Sequence, residues 1–173
     1  MSASSDSPLS ALAARLTGAF PLMMHAALEP FDDETIWWQP APGVNPVAVL
    51  ALHCAGNIRH FVGHHIGGLD YTRNRPEEFD TSRRLSKRDV LAEFDRAIAD
   101  VRITLDALTP ADLASPSRDP ELRHATVHED IINATVHLAL HVGQALQLAK
   151  LRGHTLAPQV WGDAHRASGA SRS

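Results

Sequence analysis

The chain has 173 residues, 44% hydrophobic and 21% charged, which suits one soluble globular domain with a proper core. Its net charge of −4, without any basic cluster, argues against nucleic-acid binding. The one cysteine, Cys54, excludes an internal disulfide framework and a cysteine-rich zinc finger, whereas the 11 histidines favour metal chemistry. The first residues are polar, and no apolar run approaches the roughly 20 residues of a membrane span. We therefore expect a cytoplasmic protein without membrane association.

The first two helices are predicted from their capping residues. Ser7 followed by proline is a helix start, and apolar residues then recur at helical spacing until Pro30. Asn45-Pro46 repeats this signal for a second helix that begins at Val47 and ends before Gly67-Gly68.

The third and fourth helices begin with capping-box-like pairs. Ser86 with Asp89 precedes a regular amphipathic pattern that stops before Pro110. Thr126 with Glu129 precedes the most apolar helix, which ends at Gly153. No segment alternates convincingly enough for a strand, so the sequence predicts an all-α fold.

The connections indicate how these helices are arranged. The link between the second and third helices, Gly67 to Arg84, is long and polar, whereas short links suit antiparallel neighbours. We predict a four-helix bundle over residues 1–153, with a long crossover between helices 2 and 3. Residues 154–173 are predicted to be a C-terminal tail that is partly flexible.

The fourth helix is apolar nearly all round. Ile131 and Leu138 belong to one apolar face, while Ile132, Val136 and Leu140 occupy much of the other. A helix of this kind is buried on several sides, and four helices cannot cover it completely. We therefore expect a homodimer.

A candidate metal site lies on this helix. His137 and His141 are four residues apart, which places them about 40° apart around a helix and about 6 Å apart along it. Two imidazoles so placed can point at one divalent metal. The alternative is a pair satisfied by buried hydrogen bonds. The spacing alone does not decide, since His60/His64 and His124/His128 share it.

A third ligand is expected from the second helix. Its polar stripe contains four side chains at nearly one azimuth: His53, Asn57, His60 and His64. His53 lies deepest among apolar neighbours, whereas His60 and His64 approach the polar crossover and are interpreted as surface residues. His124 and His128 are interpreted as capping or surface groups, and His25 is a poorer candidate. The di-iron and zincin motifs fail, because the glutamate or histidine that each requires is absent.

Several short motifs resemble a known family. Leu52-His53 followed by Gly56-Asn57, and His137-Leu-Ala-Leu-His141-Val-Gly143-Gln144, are similar to the DinB-like superfamily of four-helix metalloproteins. The segment Arg73-Asn-Arg75-Pro-Glu-Glu78-Phe79 is similar to one in an uncharacterised branch of that superfamily. The resemblance covers roughly Leu9 to Arg152. The stretch after Gly153 departs from the tail of that branch.

The resemblance implies an up-down-down-up bundle, frequent dimers, and a divalent metal, usually zinc or nickel. It carries the metal ligands onto His53, His137 and His141. Three neutral imidazoles leave at least one coordination position open, the catalytic pattern for zinc. Asn57 and Gln144, one turn beyond ligands, are candidates to orient a ligand or a substrate.

Characterised members of the superfamily are transferases and isomerases that activate low-molecular-weight thiols such as bacillithiol or mycothiol. By this resemblance the chain is a metal-dependent transferase acting on a small thiol. One alternative is a hydrolase that activates water. The other is a non-catalytic, stress-associated metal-binding dimer, which a carboxylate such as Asp130 closing the metal shell would favour.

Overall fold

The computed structural model describes residues 7–118, 125–155 and 158–167. This part of the chain is helical, and its only extended pairing is an isolated bridge between Pro116 and Thr126. The predicted all-α class is therefore confirmed. The α-helices are α1 (Pro8–Ala14), α2 (Phe20–Leu28), α3 (Val47–Ile58), α4 (Arg75–Glu78), α5 (Lys87–Ala107), α6 (Val127–Leu151) and α7 (Pro158–Ala167).

The described chain has more helical segments than the four predicted. π-helical segments, Arg15–Ala19 and Arg59–Ile66, follow α1 and α3 without a break. The short helix α4 lies within the crossover, and α7 lies within the predicted tail. Amphipathic periodicity did not reveal the π segments, because a local change from i→i+4 to i→i+5 bonding leaves most apolar positions apolar.

Three of the four predicted helix starts carry the expected cap. Ser7, Ser86 and Thr126 each accept a hydrogen bond from the backbone N–H three residues later. The prediction at Asn45-Pro46 was wrong in detail, because Pro46 is itself the cap residue and no side chain caps α3. The extended backbone that a proline imposes on its predecessor places Asn45 outside the helix.

Helix α3 lies at the centre of the fold. All of its residues are buried, and it packs against both α5 and α6, while α2 packs against α6. Fully buried Ile58, Phe94 and Leu138 come from α3, α5 and α6 and belong to one core. Each such side chain contributes roughly 1.5–3 kcal/mol by leaving water. The packing of α3 against α6 sets the positions of the candidate metal ligands.

The N-terminal helical stretch, Pro8–Leu28, is long and apolar enough to cross a membrane, with a mean hydropathy of 1.2 over an 18-residue window. The expectation that no apolar run approaches this length was therefore wrong. Core helices of soluble proteins and signal sequences have the same length and composition, and 39% of this window is buried against the rest of the chain. Length and composition are thus weak evidence for a membrane span.

The described part of the predicted tail forms helix α7, which packs against α2 and the first π segment. Ala164 is 5% exposed, and a Cβ atom at Gly18 would lie 3.1 Å from the carbonyl oxygen of Ala167. Gly18 thus lets α7 lie close to the N-terminal stretch. Helix α7 therefore contributes to the fold, whereas residues 156–157 and 168–173 lie outside the described chain.

Candidate metal centre

His53 from α3 and His137 and His141 from α6 form one cluster. Nε2 of His137 lies 3.1 Å from Nε2 of His53 and 3.3 Å from Nε2 of His141. One ligand nitrogen from each ring lies within 4.8 Å of the others, so the three side chains could hold a metal ion. Two imidazoles on a tetrahedral zinc at 2.0–2.1 Å have nitrogens roughly 3.3 Å apart. The two measured separations match that spacing.

The outward-facing nitrogens of two rings are held by acceptors. Nδ1 of His53 donates to Oε2 of Glu78 at 2.8 Å, and Nδ1 of His141 donates to Oε1 of Gln144 at 2.8 Å. A ring whose Nδ1 carries the proton presents a bare lone pair at Nε2. Such outer partners fix the tautomer and orientation that metal-binding histidines require.

The chemistry of the cluster fits a cation. With the protons of His53 and His141 on Nδ1, two Nε2 lone pairs point at the centre, and the single proton of neutral His137 cannot fully satisfy both. Burial, together with the neighbouring imidazoles and Arg73, lowers the pKa of His137 to about 4, and burial also lowers the pKa of His141. Both rings are therefore neutral near pH 7, which is the form that binds metal.

The carboxylate that holds His53 is itself held by an arginine. Arg73 donates to Glu78 through Nε at 2.7 Å and Nη2 at 2.8 Å, a two-point contact between a partly buried arginine and a buried glutamate. Burial favours the neutral form of Glu78, but the hydrogen bonds from Arg73 and His53 outweigh it and hold the pKa of Glu78 below its usual value. Glu78 is therefore an anion, and Arg73 neutralises its charge.

Gly56 makes room for this carboxylate. A Cβ atom at position 56 would collide with Oε1 of Glu78 and lie 2.6 Å from its Cδ. Gly56 is therefore a position of close packing, with Glu78 of α4 as the approaching group. At Gly143 a Cβ atom would meet nothing within 4 Å in the described chain, so no close packing occurs there.

Comparison with protein-family models identifies the family of this chain. A family model described as DinB superfamily matches residues 21–145. The chain belongs to the DinB superfamily. The matched region contains all three histidines, and members of this superfamily often bind a metal ion. No curated protein and no solved structure matches the chain significantly.

The role of Glu78 in this DinB-superfamily chain was missed from sequence. Arg73 of the polar crossover pairs with Glu78, a contact that composition did not predict. The signal was present in the crossover, where an acidic residue on a short helix follows an arginine by five positions. A glycine inside the fully buried α3, three residues after His53, was the second signal.

The other two predicted site residues differ in their contacts. Gln144 bonds to His141, as described above. Asn57 is 5% exposed, and its Oδ1 has no hydrogen-bond partner in the described part of the chain. Asp130, the carboxylate that would have closed the metal shell, accepts a hydrogen bond from Ser117 and is not part of the histidine cluster.

The other histidines whose side chains the structure describes lie outside the cluster. His60 contacts the rings of His64 and His65, and Nδ1 of His64 lies 2.7 Å from the carbonyl of Leu69. The polar stripe that contains His53 reaches the π segment at Arg59, so His60 and His64 lie in a different helical geometry from His53. His25 pairs with Asp95. His124 lies outside the described residues.

Proposed function

We propose that His53, His137 and His141 bind a divalent metal, zinc or nickel, and that the chain is a metal-dependent transferase that activates a low-molecular-weight thiol. The observation that carries the metal site is the convergence of three Nε2 atoms while Glu78 and Gln144 hold Nδ1 of two rings. Soft and borderline metals of this kind accept imidazole and thiolate ligands. A bound divalent ion would stabilise the ionised form of a thiol or of water near neutral pH.

The charges around the cluster favour an anionic ligand. Three imidazoles bring no negative charge, and the charge of Glu78 is neutralised by Arg73. Among the described residues no carboxylate belongs to the cluster. The divalent charge would therefore be left for a substrate anion to compensate, which supports catalysis over a closed structural site.

Access to the cluster is consistent with this function. His53 is buried at 6% exposure, whereas His137 and His141 are only partly buried. The pair on α6 therefore faces the side from which a small molecule can arrive. The hydrogen bonds from His53 to Glu78 and from His141 to Gln144 would keep both rings fixed while the small molecule binds.

Metal analysis tests the site itself. We expect about one zinc or nickel ion per chain in freshly purified protein, measured by elemental mass spectrometry. His137→Ala and His141→Ala should lose this metal and retain the helical circular-dichroism signal, because the core does not depend on the cluster. His64→Ala is the matched control, since His64 lies outside the cluster. Full metal content in the double variant His137→Ala/His141→Ala would reject the three-histidine site.

Cobalt substitution tests the thiol chemistry. Adding a small thiol to the cobalt-loaded protein should produce a near-ultraviolet charge-transfer band, and consumption of an electrophile should then exceed the rate with thiol alone. No such band with several thiols, together with metal-dependent cleavage of an ester or amide, would favour the hydrolase. Absence of both activities in metal-loaded protein would favour the non-catalytic, stress-associated binding protein.

We also propose the finer architecture and the assembly. The four longest helical stretches, 8–28, 47–66, α5 and α6, are proposed to form an up-down-down-up four-helix bundle with the crossover after residue 66. Ile132, Val136 and Leu140 are 39, 52 and 64% exposed on one side of α6, which supports a homodimer through that helix. We further propose that the protein is cytoplasmic.

A further inference from the structure

A pocket of about 380 Å³ lies beside the histidine cluster, between the segment that precedes α3 and the last turns of α6. Val44 lines the pocket from the segment before α3, and Leu50 lines it from α3 itself. Gln144 and Leu148 line it from α6. We call it the α6 pocket. Its volume is within the range of small-molecule sites.

The α6 pocket is next to the metal centre along both helices. Leu50 precedes His53 by three residues on α3, and Gln144 follows His141 by three residues on α6. The pocket therefore lies toward the N-terminal end of α3 and the C-terminal end of α6 from the histidines. Gln144 belongs to both places, because its Oε1 holds His141 while its side chain lines the pocket.

The lining of the α6 pocket determines what it would bind. None of the described residues that line it is charged, and most are apolar. A second cavity, of about 240 Å³, lies beside Glu78. Its lining includes the charged side chains of Arg59, Arg83 and Glu93. Transfer of an apolar group from water is favourable into the α6 pocket but not into the charged cavity.

We infer that the α6 pocket binds the uncharged, mainly apolar part of the substrate on which the metal centre acts. This inference rests on the proposed metal-dependent function. The reacting atom of the substrate would lie at the histidines, and its apolar part would extend along the groove past Gln144 toward Leu148 and Val44. Binding of this remote part would hold the reacting atom in place, as substrate-positioning contacts do.

A neutral fluorescent probe, N-phenyl-1-naphthylamine, tests the pocket. We expect saturable binding to the full chain. Val44→Asp should weaken it at least ten-fold, because an aspartate there places a charge in the apolar cavity. Ile103→Asp on α5 is the matched control, since Ile103 is 71% exposed and does not line the pocket, and its affinity should be unchanged. Absence of saturable binding, or equal effects of the two substitutions, would overturn the inference.

Cobalt-loaded protein tests the link to the metal centre. Cobalt should broaden the proton resonances of the bound probe, whereas zinc should not, because only cobalt is paramagnetic. The broadening requires that the probe is bound close to the histidine cluster. Binding without broadening in a chain that carries one cobalt would overturn the inference and leave the metal site intact. A chain that takes up no cobalt would reject the proposed function, and the substrate assignment with it. Probe affinity that falls as protein concentration rises would show that a second copy covers the pocket, which would also overturn it.

Discussion

The carboxylate of Glu78 occupies the space into which a side chain at position 56 would extend. A Cβ atom at Gly56 would lie 2.6 Å from Cδ of Glu78, far inside van der Waals contact. Glu78 in turn holds Nδ1 of His53 at 2.8 Å. The absence of a side chain at residue 56 is therefore part of what orients His53, a candidate metal ligand three residues earlier on the same helix.

The first prediction concerns Gly56→Ala. The new methyl group displaces the Glu78 carboxylate from His53 and Arg73, so we expect metal affinity to fall by about 10–100-fold. The free energy of unfolding of the metal-free protein should fall by roughly 1–3 kcal/mol, because buried polar groups lose their partners. Titration with a competing chromophoric chelator and urea unfolding measure the two effects.

Gly143→Ala is the control for this change. It is the same substitution in the helix that carries the other two ligands, but its Cβ atom meets nothing within 4 Å. Metal affinity and stability should not decrease. Equal losses in the two variants would show that Gly56 acts through helix backbone properties and not through Glu78.

The second prediction separates the charge of Glu78 from its shape. Glu78→Gln keeps an acceptor for His53 but removes the negative charge beside Arg73, so we expect metal affinity to fall by about ten-fold. Glu77→Gln is the matched control, because Glu77 is half exposed and pairs with Arg83 on the surface. Its effect on metal affinity should be negligible. An unchanged affinity in Glu78→Gln would mean that hydrogen bonding alone orients His53.

The helices could be predicted from short-range spacing, whereas the histidine cluster also needed a family resemblance, because His60/His64 has the same spacing as His137/His141. His137 and His141 share a helix, and capping residues such as Ser86 and Thr126 are local signals. The π segment that begins at Arg59 could not be predicted, since periodicity does not detect it.

The contact between Glu78 and His53 was not predicted, for a different physical reason. The two residues are 25 positions apart, and the position of Glu78 depends on how the crossover folds back over α3. Composition had marked the crossover only as polar, which is typical of a solvated loop. Its buried ion pair with Arg73 is a tertiary feature.

The third prediction concerns Gln144. Replacing it with leucine removes the acceptor that fixes Nδ1 of His141, so we expect metal affinity to fall by about ten-fold. Gln147→Leu is the control, because Gln147 lines the same pocket one turn later but does not contact a ligand histidine. The control should retain wild-type metal affinity in the chelator titration. If both variants lost metal equally, pocket polarity and not the hydrogen bond to His141 would be responsible.

The fourth prediction concerns assembly through α6. Sedimentation equilibrium at micromolar concentration should give a mass near twice 18.8 kDa, because association buries the exposed apolar side chains of that helix. Leu140→Asp should shift the mass to that of a single chain, since a charge within an apolar interface loses its hydration. Ile103→Asp is the control: Ile103 is as exposed as Leu140 but lies on α5, and its variant should remain dimeric. A monomeric wild-type chain would reject the dimer. Dissociation by both substitutions would place the interface on α5 as well as α6.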